Sequence, residues 1–223
     1  MREERIDKKR LFIFIGVALS VIIVIALSKY WRLKDDIPNF GGSYKVFVKI
    51  EAVKDDDSKE SHTLEAVNLK NGSKVTGDFY QRSIYIDDGR TIFDDGGKYK
   101  YYDSKNSIRY LDDIIGKVDL GNVVEIDGDR ANYNPLVSKD VINSLLDVLF
   151  IDRESSRDEH AFVVLKDKKV ESFSLYLVGV DGYKDINISM TFGEIDKQDY
   201  FEMPVFYEEV MDKIDDDEIM IIK

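Results

Sequence analysis

The feature that most constrains this chain is a stretch without any charged residue, Leu11 to Ser28. A helix rises 1.5 Å per residue, and roughly 20 apolar residues cross a hydrocarbon core of about 30 Å. A helix buried inside a small soluble domain would need apolar contacts on every side. We therefore predict a single transmembrane helix over residues 11–28, with all later residues on one side of the membrane.

The flanks of this stretch predict its orientation. Residues 1–10 contain five Lys or Arg side chains, and residues 29–34 contain three. Basic residues close to a membrane segment favour the cytoplasmic side. We therefore expect residues 1–10 in the cytoplasm and residues 43–223 outside it, in a single-pass protein of the cell membrane. Tyr30, Trp31 and Arg32 suit the membrane interface, where amphipathic side chains concentrate.

A cleaved signal peptide is the alternative for the same stretch. Ala26-Leu27-Ser28 has the small residues of a cleavage site, so the domain could be secreted after cleavage following Ser28. The apolar region is longer than the 7–15 residues usual in signal peptides, which favours an uncleaved signal anchor. The chain has no cysteine, so no lipid is attached through one.

The composition of the chain excludes several kinds of partner and site. Its formal net charge is −12, and binding to nucleic acid requires clusters of positive charge, so we expect no nucleic-acid partner. Without cysteine there are neither disulfides nor thiolate metal sites. The length after the membrane segment suits one domain with one core.

The first half of that domain has the alternation of β-strands. After a linker at residues 29–42, which contains Pro38, apolar and polar residues alternate from Tyr44 to Ala52. Short alternating runs follow up to residue 102, separated by turn signals such as Asn71-Gly72. This pattern predicts an antiparallel meander.

Two further patterns predict helices. Ser138 is a good N-cap for a helix with a wide apolar stripe that includes Val141 and Leu145. Pro204 is placed to open a terminal helix that would include Ile214. Residues 117–137, between the meander and the first of these helices, read as irregular.

Strands resume after the central helix and contain the clearest alternation in the chain. Asp181-Gly182 predicts a tight turn between two long strands. Their apolar positions fall on one face, and we take that face as the candidate site for an apolar ligand: Phe173, Leu175, Leu177, Ile186, Ile188, Met190 and Phe192. Strands, helices and strands in this order predict an α+β domain over residues 43–223.

The chain offers few candidates for catalysis or metal binding. His62 and His160 are the only histidines, and no Gly-x-Ser-x-Gly or phosphate-binding loop occurs. Asp127, Asp129 and Asn132 lack the spacing of a calcium loop. We therefore predict no catalytic residue, no metal and no cofactor.

The later strands also resemble a known family. The segments KVESFSLYLVGVDGYKDINISMTFGEID and YFEMPVF resemble the closing strands of the bacterial lipoprotein-carrier (LolA-like) and LppX-like envelope proteins, and VSKDVINSLLDVLF resembles their plugging helix. The resemblance covers residues 44–205. It implies a curved antiparallel sheet, a half-barrel covered by helices, that holds lipids or acyl chains in its concave face.

From the sequence we therefore expect a non-enzymatic, membrane-anchored envelope protein. It would bind a lipid or another apolar ligand, or assist envelope assembly. Two alternatives remain open. One is a structural or partner-binding subunit of a membrane protein complex with a solid core, and the other is a cell-surface hydrolase that uses carboxylates.

Overall fold

The computed structural model describes residues 43–78, 84–87, 89–103, 108–152, 157–205 and 211–214. The chain divides into two units, Met1–Asp35 and Asp36–Lys223, and all described residues belong to the second. The predicted membrane segment and linker, residues 11–42, lie outside the described residues. Within the described ranges, no helix has the length and hydropathy needed to cross a membrane.

The described residues form a twelve-stranded sheet. Six strands precede the helices: β1 (Tyr44–Lys54), β2 (Lys59–Leu69), β3 (Gly72–Gly77), β4 (Ile84–Asp87), β5 (Arg90–Asp95) and β6 (Lys98–Asp103). Six come later: β7 (Val123–Asp127), β8 (Arg130–Tyr133), β9 (Asp158–Lys166), β10 (Lys169–Val180), β11 (Tyr183–Gly193) and β12 (Asp212–Lys213).

Strand order shows a large, curved, open antiparallel sheet. The order is β12-β6-β5-β4-β3-β2-β1-β11-β10-β9-β8-β7, so β12 and β7 lie at its two ends. Neighbouring strands are antiparallel except β12 and β6, which are parallel. The predicted meander is confirmed, because β1 to β6 pair in sequence order. The two halves of the chain meet where β1 pairs with β11.

The alternation predicted for β1, β10 and β11 gives the sheet two distinct faces. Val48 lies opposite Met190 and Ile50 opposite Ile188, and these side chains point to the same side. We call this side the inner face. The opposite side, the outer face, has Ser189 at the corresponding position of β11.

The helices contribute side chains to the same core as the inner face. A 3₁₀ turn at Ile108–Tyr110 leads into α1 (Leu111–Ile115), and the longer helix is α2 (Lys139–Val148). Ser138 caps α2 as predicted, because its hydroxyl accepts a hydrogen bond of 3.4 Å from the Val141 N–H. The apolar stripe of α2 joins the buried side chains of the sheet in one core.

Two predictions of local structure are wrong. Residues 117–137 are not irregular throughout, since β7 and β8 form a hairpin whose turn contains Gly128 at a φ of 61°. Residues 206–210 of the predicted terminal helix lie outside the described residues, and at its predicted end, residues 211–214, the chain is not helical because β12 pairs with β6 there. Ile214 is buried there by its position beside the sheet.

Candidate functional site

Six of the seven predicted ligand-face residues lie in the middle of the inner face. All six have an exposed fraction of 1% or less: Phe173, Leu175, Leu177, Ile186, Ile188 and Met190. They share one cluster with the apolar side chains of α1 and α2. These six residues are therefore part of one packed core, and ligand binding at these positions stays a prediction.

Phe192, the seventh residue, differs from the other six. It is only partly buried and lies near the end of β11. Its ring contacts the ring of Tyr44 on β1, with centroids 6.1 Å apart and a tilt of 53°. Phe192 and Tyr44 both line a cleft at this end of the strands.

We call this feature the end cleft. It is partly open to solvent and has a volume of about 630 Å³. It lies where β1 begins, where β9 turns into β10, and where β11 ends. Its lining consists of Ser43, Tyr44, Lys166, Asp167, Lys169, Val170, Glu171, Phe192, Gly193, Glu194 and Ile195.

The floor of the end cleft is apolar. Val170 and the Tyr44 ring are buried, and Phe192 and Ile195 are partly exposed. Burial raises the pKa of the Tyr44 hydroxyl far above its ordinary value, and the negative charge of Asp112 raises it further. Tyr44 is therefore neutral at physiological pH, and the floor carries no charge.

The rim of the end cleft is charged and paired. Lys169 forms an ion pair with Glu194 at 2.9 Å, and the hydrogen bond raises the pKa of Lys169 and lowers that of Glu194. Arg130 donates two hydrogen bonds of 2.7 Å to Glu171, which lower the pKa of Glu171. The rim therefore contains both signs of charge and matches a zwitterionic or uncharged polar group better than a multiply charged one.

The segment after β11 forms one wall, and β1 holds it in place. Lys45 reaches Asp199 at 3.2 Å and Asp196 at 3.4 Å. The backbone N–H of Asp196 also donates to Asp199 at 2.7 Å, and this bond is the main cause of the lowered pKa of Asp199. These contacts hold the segment that follows β11, which includes the cleft residues Glu194 and Ile195, against the start of β1.

The residues weighed for catalysis do not come together. His62 lies on β2 and His160 on β9, and β1, β11 and β10 separate these strands. His160 contacts Asp158 at 3.1 Å on the exposed surface. Within the described ranges no three His, Cys, Asp or Glu side chains are grouped so that they could hold a metal ion.

The predicted interface residues Tyr30, Trp31 and Arg32 lie outside the described residues. The sequence analysis missed most of the end cleft, including Tyr44, Val170 and Ile195. The sequence assigns Tyr44 only to a strand, because it does not show that β1 begins beside the end of β11.

Comparison with known proteins gives a likeness of fold. No protein-family profile and no curated protein matches the sequence. The structure is similar to LprF from Mycobacterium bovis, with 11% identity over 68% of this chain and 84% of that chain and a TM-score of 0.37. It is also similar to a LolA superfamily protein from Nitrosomonas europaea, with 11% identity over 74% of this chain and 91% of that chain and a TM-score of 0.33.

The second structure bears the LolA superfamily name that the sequence resemblance also gave. With TM-scores below 0.5, neither match carries an argument about the ligand or the function of this chain. The function must therefore be inferred from the chain's own geometry.

Proposed function

We propose that this chain is a non-enzymatic, membrane-anchored envelope protein that binds a lipid or another apolar ligand in the end cleft. The observation that carries the proposal is the cleft of about 630 Å³ with an uncharged apolar floor and a polar rim. Ligand sites in proteins are typically clefts of roughly 300–1,000 Å³ with apolar walls and a few polar groups. An amphipathic ligand matches this arrangement.

The floor would hold the apolar part of such a ligand. A hydrocarbon chain laid against Phe192, Val170 and Ile195 removes apolar surface from water, at roughly 25 cal/mol for each Å². The Tyr44 ring packs against the Phe192 ring in a tilted contact and helps to hold it in position. The paired rim residues Lys169 and Glu194 would lie beside the polar part.

The apolar stretch Leu11–Ser28 would keep this domain at the membrane that supplies the ligand. Residues 29–42 span at most about 50 Å when fully extended, so Ser43 stays within that distance of Ser28. In the proposed topology residues 1–10 are cytoplasmic and the domain is outside. Protease added to intact protoplasts should digest the domain, and protection until lysis would contradict this topology.

A substitution on the cleft floor tests ligand binding. Phe192→Ala should weaken binding of a fluorescent long-chain fatty acid to the full chain by about tenfold, because most of the floor contact is lost. Phe162→Ala is the matched control, since Phe162 is an exposed ring on the outer face of β9. Measurements at one fixed concentration of neutral detergent give all variants the same micelle background.

The free energy of unfolding of each variant shows whether weaker binding reflects a lost ligand contact or a damaged fold. Phe192 is only partly buried, so we expect Phe192→Ala to lower the free energy of unfolding by about 1–2 kcal/mol and to leave the fold intact. Equal affinities of the wild type, Phe192→Ala and Phe162→Ala would contradict binding in the end cleft.

A partner-binding role is the second candidate function, and a specific observation favours it. The middle of the inner face is buried in one core with the helix side chains, as expected for a subunit with a solid core. At the end of the sheet, β7 exposes its entire length.

A further inference from the structure

The strand β7 is an edge of the sheet. It pairs with β8 on one side, and no other strand of the described ranges pairs with its second side. All five residues of β7 are exposed. Backbone N–H and C=O groups along such an edge can form hydrogen bonds with an added strand.

Apolar side chains are unusually exposed along this edge. The exposed fractions are 65% for Val124 and 70% for Ile126. Ile126 lies opposite Ala131, which lies opposite the buried Leu165 of β9. Ile126 therefore lies on the same side of the sheet as Leu165 and extends this apolar side to the edge, and an exposed apolar surface is typical of an interaction site.

The polar side chains of β7 are both acidic. Glu125 and Asp127 lie opposite Asn132 and Arg130 of β8. Asn132 donates a hydrogen bond of 3.3 Å to Glu125, and Arg130 is held by Glu171 in two hydrogen bonds of 2.7 Å. The polar side of the edge therefore has negative potential.

This charge argues against a second copy of the chain at the edge. Antiparallel pairing of two β7 strands would bring both copies of Glu125 and Asp127 onto one face, and like charges on paired strands are destabilising. The acidic run Asp215 to Glu218 would meet the same repulsion. Lys or Arg side chains would instead form favourable pairs with both carboxylates.

We propose that β7 is the docking site for an extended segment of a partner protein in which apolar residues alternate with Lys or Arg. The segment adds a strand to the sheet, its apolar side chains cover Val124 and Ile126, and its basic side chains pair with Glu125 and Asp127. This interaction does not depend on the end cleft.

A pair of synthetic peptides tests the proposal on the full chain in neutral detergent. In one fluorescent peptide Val and Ile alternate with Lys, and in the other Glu replaces each Lys. The Lys peptide should bind at least about tenfold tighter, and its affinity should fall as salt is raised. Hydrogen exchange should show new protection at residues 123–127 when the Lys peptide binds.

Charge reversal makes the test specific. Glu125→Lys with Asp127→Lys should reverse the preference towards the Glu peptide. The matched control is Glu65→Lys with Glu202→Lys, which changes net charge equally at exposed positions elsewhere and should keep the preference for the Lys peptide. Equal affinity for both peptides, or an equal response of the control, would overturn the proposal. A dimer of the wild-type chain that excludes the Lys peptide would overturn it in favour of a second copy.

Discussion

The paired strands β1 and β11 have the same alternating pattern, but the contacts at their two ends differ. At one end the Tyr183 hydroxyl donates to Glu60 at 2.8 Å, and Lys54 reaches the same carboxylate at 2.9 Å. At the other end Tyr44 and Phe192 meet in a ring contact beside the end cleft. At the first end the carboxylate of Glu60 is bound by two polar side chains. At the second end apolar side chains line a cleft that is partly open to solvent.

The difference shows that burial changes along the inner face while the strand pattern stays the same. Met190 and Phe192 are two residues apart and point to the same side. Met190 lies in the packed core, whereas Phe192 lines the cleft.

The largest effect is expected in the packed middle. Ile188→Asp should lower the free energy of unfolding by more than about 4 kcal/mol, because a fully buried side chain is lost and a charge is left without a partner. Chemical denaturation of the full chain measures this loss.

The neighbouring residue provides the control. Ser189 lies on the outer face, so Ser189→Asp should cost less than about 1 kcal/mol. Equal losses for the two variants would show that the assignment of the two faces is wrong.

Met190→Ala distinguishes a filled core from a ligand cavity. In the packed core the substitution leaves a void, and we expect a loss of about 2–5 kcal/mol without any change in fatty-acid affinity. Thermal melts and ligand titrations of the same sample measure both quantities. A mild loss of stability together with weaker ligand binding would instead place the ligand in the middle of the inner face.

The contribution of Glu60 to the free energy of unfolding should depend on pH. Burial alone would raise the pKa of Glu60, but hydrogen bonds from Lys54 and Tyr183 outweigh it and hold the pKa below its ordinary value. The unfolded chain then binds a proton more readily than the folded chain, so this stabilisation is complete above the ordinary Glu pKa and is lost as pH falls through the folded value.

The substitution Glu60→Gln measures that contribution. It should cost about 0.5–1 kcal/mol at pH 7, and the difference from the wild type should shrink as pH falls below the ordinary Glu pKa. Urea denaturation at several pH values follows it, and a difference that does not change with pH would contradict the ion-pair assignment.

Much of the fold could be predicted from the sequence because its signals are local. Alternation identified β1, β10 and β11, and Ser138 with its apolar stripe identified α2. The sequence analysis missed the β7–β8 hairpin although Asp127-Gly128 is a turn signal, because the alternation before the turn covers only the four residues Val124 to Asp127.

The end cleft could not be predicted in the same way. Its lining comes from three places in the sequence, around Ser43, Lys169 and Glu194, that only the pairing of β1 with β11 and of β10 with β11 brings together. The sequence places Phe192 on the correct face but does not show that Phe192 is less buried than Met190.

Crosslinking of a photoreactive fatty acid tests the central claim most directly. The full chain in neutral detergent is irradiated with a fatty acid that carries a diazirine in its hydrocarbon chain, and crosslinked peptides between residues 43 and 214 are mapped by mass spectrometry. We predict crosslinks at residues 169–171 and 192–195 that decrease in Phe192→Ala and persist in Phe162→Ala. Crosslinks confined to residues 186–190, or an identical pattern in both variants, would contradict ligand binding in the end cleft.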